Sequence, residues 1–260
     1  MASLLMTLLI IMIVVMSLFL LFTQKYVNPY TFIMIFGKKG SGKTTILTKQ
    51  AIKHLMGNWT VYSTEEILGC YHIDYKDIGL VQLTDDNFEP FNADDYRGFM
   101  RYWKVFLNWL FPRRPKILLL IDEAGLLWHC RNFKSFDERV RKFFKMQRHY
   151  HVKCIAFSQC FDIDKSLRDL TDSMYLQTNI ARVFTYGKRI NKYFTIKTST
   201  TEGNEGNSTL CENYEFDKII YPGARTLTFI PHWSKYFDSF EIKEDLPLHK
   251  CKKVYHRCES

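Results

Sequence analysis

Residues 37–44, GKKGSGKT, carry the strongest chemical signal in the chain. They satisfy the spacing G-x-x-x-x-G-K-[ST], and each residue type has a physical task there. Glycines at 37, 40 and 42 let the backbone take positive φ and bring its N–H groups against phosphate oxygens. A helix opening at the same point adds a favourable dipole for an anion. Lys43 would reach the β- and γ-phosphates, and the Thr44 hydroxyl would ligate Mg²⁺. Gly37, Lys38, Lys39, Gly40, Ser41, Gly42, Lys43, Thr44 and Thr45 are therefore the expected nucleotide-binding residues, with ATP and Mg²⁺ as ligands.

Two further segments complete a hydrolytic site. KILLLIDE, residues 116–123, is an apolar run ending in two acids. Asp122 is placed to hold the magnesium through a water, and Glu123 to orient or deprotonate an attacking water. This strand is expected to lie beside the strand that feeds the glycine-rich loop. Chemistry on GTP would call for an N-K-x-D segment, which the sequence lacks. VKCIAFSQ, residues 152–159, ends in Gln159, whose amide could sense phosphate or position water. The same residue could instead serve as a helix cap or turn. Arg141, Arg148 and Arg168 are candidates to stabilise the transferring phosphoryl group from a neighbouring subunit, or else members of a solvated basic surface.

These residues need strands and helices to position them. TFIMIF (31–36) is a short continuous apolar run ahead of the loop, as in a strand buried on both faces. TTILTKQAIKHLMG (44–57) reads as a helix stopped by Gly57. WTVYS (59–63), KILLLIDEA (116–124), VKCIAFSQ (152–159) and MYLQTNIARVFTY (174–186) read as strands, and residues 94–111 and 135–150 as helices. YFTIKTSTT and ARTLTFI add two later strands around a polar loop at 202–209. Alternating apolar strands and helices give an α/β fold with a mainly parallel central sheet. With the glycine-rich loop and the adjacent Asp122 and Glu123, the expected class is a P-loop NTPase of the ASCE (RecA-like) type. The expected division is 1–24 transmembrane helix, 25–186 ATPase core, 187–245 β-rich extension and 246–260 basic tail.

No charged residue precedes Lys25. The apolar run from Ala2 to Phe22, at about 1.5 Å per residue, matches a hydrocarbon core of roughly 30 Å. A cleaved signal peptide would have a basic start and a small-residue cleavage site, and neither is visible. Lys25, Lys38, Lys39 and Lys43 follow the run, which places the carboxyl side in the cytoplasm. A net charge of +9 points to an anionic partner, nucleic acid or lipid headgroups. A hydrophobic content of 47% and aromatic content of 16% exclude a disordered chain. Seven scattered cysteines form no disulfide framework. His249, Cys251, His256 and Cys258 stand too close in pairs for usual zinc spacing and read as part of the basic tail.

The P-loop, the strand ending in LIDEA, a following R-H segment, the strand ending in SQ, and DIDKSLRDLTD (162–172) together resemble the Zot-like proteins. PHWSKYFDSFE (231–241) is similar to an aromatic closing segment of that family. These are assembly ATPases of filamentous phages, related to the FtsK/HerA pumping ATPases. The resemblance covers roughly residues 30–241. It implies a membrane-anchored homo-oligomeric ring at the host inner membrane that extrudes single-stranded phage DNA while coat proteins assemble around it. By position, Lys43 and Thr44 would bind ATP and Mg²⁺, Asp122 and Glu123 would serve hydrolysis, and Gln159 would be the sensor. The better-known relatives carry their membrane helix after the ATPase domain, whereas here the apolar segment precedes it, so an extracytoplasmic role is not expected. A plasmid or conjugative DNA-transfer ATPase would share the same features. So would a membrane scaffold that binds nucleotide without turning it over.

Overall fold

In the computed structural model of the chain, residues 2–23, 26–128, 137–161, 163–198 and 208–236 are described. The chain opens with helix α1 (Ala2–Thr23) and then forms β1 (Phe32–Phe36), α2 (Lys43–Leu55), β2 (Thr60–Ser63) and β3 (Tyr71–His72). Next come α3 (Phe99–Leu110), β4 (Ile117–Ile121), α4 (Ala124–Leu127), α5 (Glu138–Met146), β5 (Val152–Ser158) and α6 (Lys165–Asp169). The rest is β6 (Ser173–Ile180), β7 (Phe184–Thr198), β8 (Ser208–Phe216), β9 (Arg225–Phe229) and α7 (Ile230–Ser234).

Among the described residues, the nine strands join one sheet in the order β3-β2-β4-β5-β1-β6-β7-β8, with β9 also paired to β7. From β3 to β6 every pairing is parallel, and β7, β8 and β9 are antiparallel additions. The apolar runs seen in the sequence are continuous because helices cover both faces of the parallel part. Side chains of one strand alternate between two cores. Phe32, Met34, Leu119, Ile121, Cys154 and Ala156 pack under Val140, Phe143, Phe144 and Leu167 of α5 and α6. Ile35, Leu118, Leu120, Ile155 and Phe157 pack under Ile46, Leu47 and Ala51 of α2.

Two sequence expectations need correction. The strand ending in Asp122 does not lie beside the loop strand, because β5 is inserted between them, with Phe36 opposite Ser158 and Ile121 opposite Ala156. This is the order that brings Gln159 between the loop and the acids. Residues 174–186 are also not one strand. The chain reverses at 181–183, where Ala181 and Arg182 take φ of 53° and 61°, and β7 returns antiparallel to β6. β7 then runs without a break through residue 187, in the same sheet as the parallel strands.

The helical reading of the amino-terminal segment agrees with α1, whose described side chains from Met6 to Leu20 are all exposed. Among the described residues no helix is long and apolar enough to cross a membrane. The tail with His249, Cys251, His256 and Cys258 lies outside the described residues, as do Asp162 and residues 237–241.

Candidate nucleotide-binding site

The carboxyl ends of β1, β5 and β4 deliver three short segments to one edge of the sheet, where parallel α/β folds place ligands. From β1 the chain enters the loop at Gly37, whose N–H donates to the Ser158 carbonyl at 3.1 Å. A Cβ on Gly37 would sit 2.4 Å from Ser41 Oγ and 2.9 Å from the Gln177 carbonyl oxygen, so only glycine fits there. Gly42, at φ 88°, is the residue before α2, and a Cβ on it would lie 2.9 Å from Thr185 Cβ. Positive φ at this position turns the first N–H groups of α2, which have no carbonyl partner within the helix, toward the loop interior. Ser41 Oγ is buried there without a hydrogen-bond partner, and Gly37 and Gly42 leave no room for a side chain in its place. An anion-accepting concavity fits these facts.

Lys43 is 7% exposed, and its Nζ donates to the Gly37 carbonyl at 2.9 Å. The same Nζ stands 3.9 Å from Glu123 Oε1. Thr44 is half-buried in the first turn of α2, and Lys38, Lys39 and Gly40 are exposed at the loop's outer rim.

Asp122 follows β4 and is 7% exposed. Its backbone N–H donates to Thr64 Oγ1 at 2.9 Å, and its carbonyl accepts from the Tyr75 hydroxyl at 2.9 Å. One carboxylate oxygen accepts the Glu123 N–H at 3.0 Å. Burial pushes the Asp122 carboxyl up to about 6, and the negative charges of Glu65 and Glu123 push the same way. The Glu123 N–H and Lys43 oppose the shift without cancelling it. A carboxylate held in this surplus of negative charge is suited to a divalent cation, which would restore its ionised form.

Glu123 takes a left-handed conformation, φ 48° and ψ 45°, which costs a non-glycine residue roughly 1–2 kcal/mol. Its Oε1 accepts from Gln159 Nε2 at 2.8 Å. Lys43, Glu123 and Gln159 therefore form one connected group, with Asp122 joined through the Glu123 backbone. This arrangement can grip phosphate with Lys43 and the loop N–H groups, hold magnesium at Thr44 and Asp122, and aim a water with Glu123. The cation would supply charge neutralisation between phosphate oxygens.

The sequence reading missed a second wall. Gln177 of β6 is buried and donates to the Thr185 hydroxyl of β7, which in turn donates to the Ser41 carbonyl at 2.8 Å. Asn179 Nδ2 donates to the Gly40 carbonyl at 3.0 Å. The β6–β7 hairpin thus fixes the loop from the side opposite the acids. Glu65, just beyond β2, was also missed, although it is close enough to act on Asp122. Polar residues past an apolar run were the available signal for both, but nothing local told them from ordinary turn residues.

Of the three arginines, Arg148 lies away from this group. Arg148 follows α5, and its carbonyl accepts the His151 N–H at the turn into β5, at the opposite edge of the sheet. Arg141 lies on α5 and Arg168 on α6, whose neighbours Val140 and Leu167 belong to the core.

No protein-family model matches the chain, and no curated protein matches it. Solved structures similar to it include the N-terminal domain of zonular occludens toxin from Neisseria meningitidis. That likeness is at 16% identity and TM-score 0.40 over 73% of this chain and 95% of the other. They also include the genome packaging NTPase of Sulfolobus turreted icosahedral virus 2 in complex with AMPPCP. Here the identity is 13% and the TM-score 0.38, over 62% of this chain and 93% of the other.

Proposed function

We propose that the protein is a membrane-anchored ATPase that drives nucleic acid across or along a membrane, as the resemblance to filamentous-phage assembly ATPases implies. The observation that carries the ATPase reading is the joining of Lys43, Glu123 and Gln159, with Asp122 beside them, at the carboxyl edge of the parallel strands. Lys43 Nζ donates to the Gly37 carbonyl of the loop and stands near Glu123. An incoming polyphosphate would draw Lys43 onto its oxygens and leave Glu123 free to accept a proton from water. Gln159 donates to the Glu123 carboxylate and so fixes where that base points.

The anchor reading rests on the apolar sequence Ala2–Phe22 and on the exposure of every described side chain from Met6 to Leu20, which water would not favour. The DNA-handling reading rests on the +9 charge together with the resemblance. Single-stranded DNA and phage coat proteins are the proposed partners, with a homo-oligomeric ring as the working form. The test is ATP turnover by the full chain reconstituted in vesicles, with and without single-stranded DNA. Stimulation that fades between low and moderate salt supports the reading, because phosphate contacts release counterions. Turnover indifferent to DNA at every salt concentration would remove the nucleic-acid role and leave the ATPase.

A further inference from the structure

Helix α3 is strongly amphipathic, yet none of its residues is buried. Phe99 is 79% exposed, Tyr102 77%, Trp109 54% and Trp103 48%. Trp103 and Phe106 lie against each other with ring centroids 5.9 Å apart, and Phe106 and Trp109 with centroids 6.1 Å apart, so the three rings form a row along the helix. Arg101, Lys104 and Asn108, three and four residues apart, share one narrow polar face, and the remaining arc is apolar. Residues 99–116 contain Arg101, Lys104, Arg113, Arg114 and Lys116 and no acid, and Asp94, ahead of the helix, pairs with Arg101 at 3.2 Å. An aromatic arc of this size left in water calls for a cover.

The place of α3 in the fold says which cover. The chain leaving α1 reaches Tyr30, whose hydroxyl donates to the Pro115 carbonyl at 2.8 Å. Val27, Pro29 and Tyr30 line one cleft together with Leu110, Phe111 and Arg114. The carboxyl end of α3 is therefore fastened where the chain emerges from α1. Tryptophan and tyrosine with a basic fringe are the composition of the bilayer interface. We propose that α3 lies in the headgroup layer of the bilayer that α1 enters, aromatic arc toward the acyl chains and basic residues on anionic headgroups. This inference rests on the proposed anchor. It adds a second contact that would set the sheet's tilt and height above the membrane.

The test uses the full chain in phosphatidylcholine–phosphatidylglycerol vesicles in which a fraction of the lipid is brominated. Helix α1 contains no tryptophan, so quenching reports on the rest of the protein. The expected result is strong quenching that is mostly lost in the double variant Trp103→Tyr, Trp109→Tyr, and reduced in Phe106→Glu, while all three proteins resist alkaline carbonate extraction. Resistance to extraction without tryptophan quenching overturns the role of α3 and leaves the anchor intact. Blue-shifted but unquenched emission that depends on protein concentration also overturns it, in favour of a second copy covering α3. Release by carbonate overturns the anchor and this inference with it.

Discussion

Asp122→Asn is expected to stabilise the nucleotide-free protein at neutral pH while removing magnesium-dependent turnover. The wild-type carboxyl has an ordinary value of 3.8 and is raised to about 6 in the folded chain, first by burial and then by Glu65 and Glu123. A raised value means the folded state holds the proton more tightly than the unfolded chain. Stability from this group is thus fully present below pH 4 and lost as the pH rises through 6. At about 1.4 kcal/mol per unit, the gap between 3.8 and about 6 corresponds to about 3 kcal/mol as an upper bound. Asparagine has the same shape and no charge, and its Oδ1 can still accept the Glu123 N–H. Denaturant unfolding of the full chain in micelles, followed by tryptophan emission, should show the variant more stable by about 1–3 kcal/mol at pH 7.5. The advantage should vanish by pH 4. An equal advantage at both pH values, or none at pH 7.5, would refute the assignment of strain to this carboxylate.

Other consequences follow from neighbouring residues. Gly42→Ala should cost about 2–4 kcal/mol, from positive φ and from the 2.9 Å approach to Thr185 Cβ, and Thr185→Gly in the same chain, which removes that Cβ, should recover the steric part only. A double-mutant cycle from unfolding midpoints measures this. Gln159→Ala should lower turnover roughly 10–100-fold with little change in nucleotide affinity, because it acts on Glu123 and not on the loop; steady-state kinetics beside equilibrium binding separates the two. Ala181→Gly should raise stability by about 1 kcal/mol, since the hairpin reversal holds that residue at φ 53°; the unfolding midpoint shows it.

The loop, the acids and the apolar strands were legible because each is a local pattern with a physical task. Strand order was not. β1, β4 and β5 are all apolar runs covered on both faces, so nothing in them says which pair is adjacent, and Asp122 was placed one strand too near the loop. The reversal at Ala181-Arg182 carries no Asn-Gly or Gly signal, and the hairpin was read as a single strand. Its contacts explain why it exists. Gln177, Thr185 and Asn179 brace a loop some 140 residues earlier in the chain, a separation that no window of sequence spans. The sequence reads residues 94–111 as a helix, but only the structure shows that the apolar arc of Phe99–Leu110 faces outward.

The central claim, that the joined Lys43, Asp122, Glu123 and Gln159 form a hydrolytic ATP site, is met most directly by one paired measurement on Glu123→Gln. Magnesium–ATP binding and single-turnover hydrolysis are followed on the same full-chain sample. Binding within a few-fold of wild type together with hydrolysis slowed by about 10²–10⁴ is the predicted result. Hydrolysis at the wild-type rate with Glu123 replaced would contradict the account.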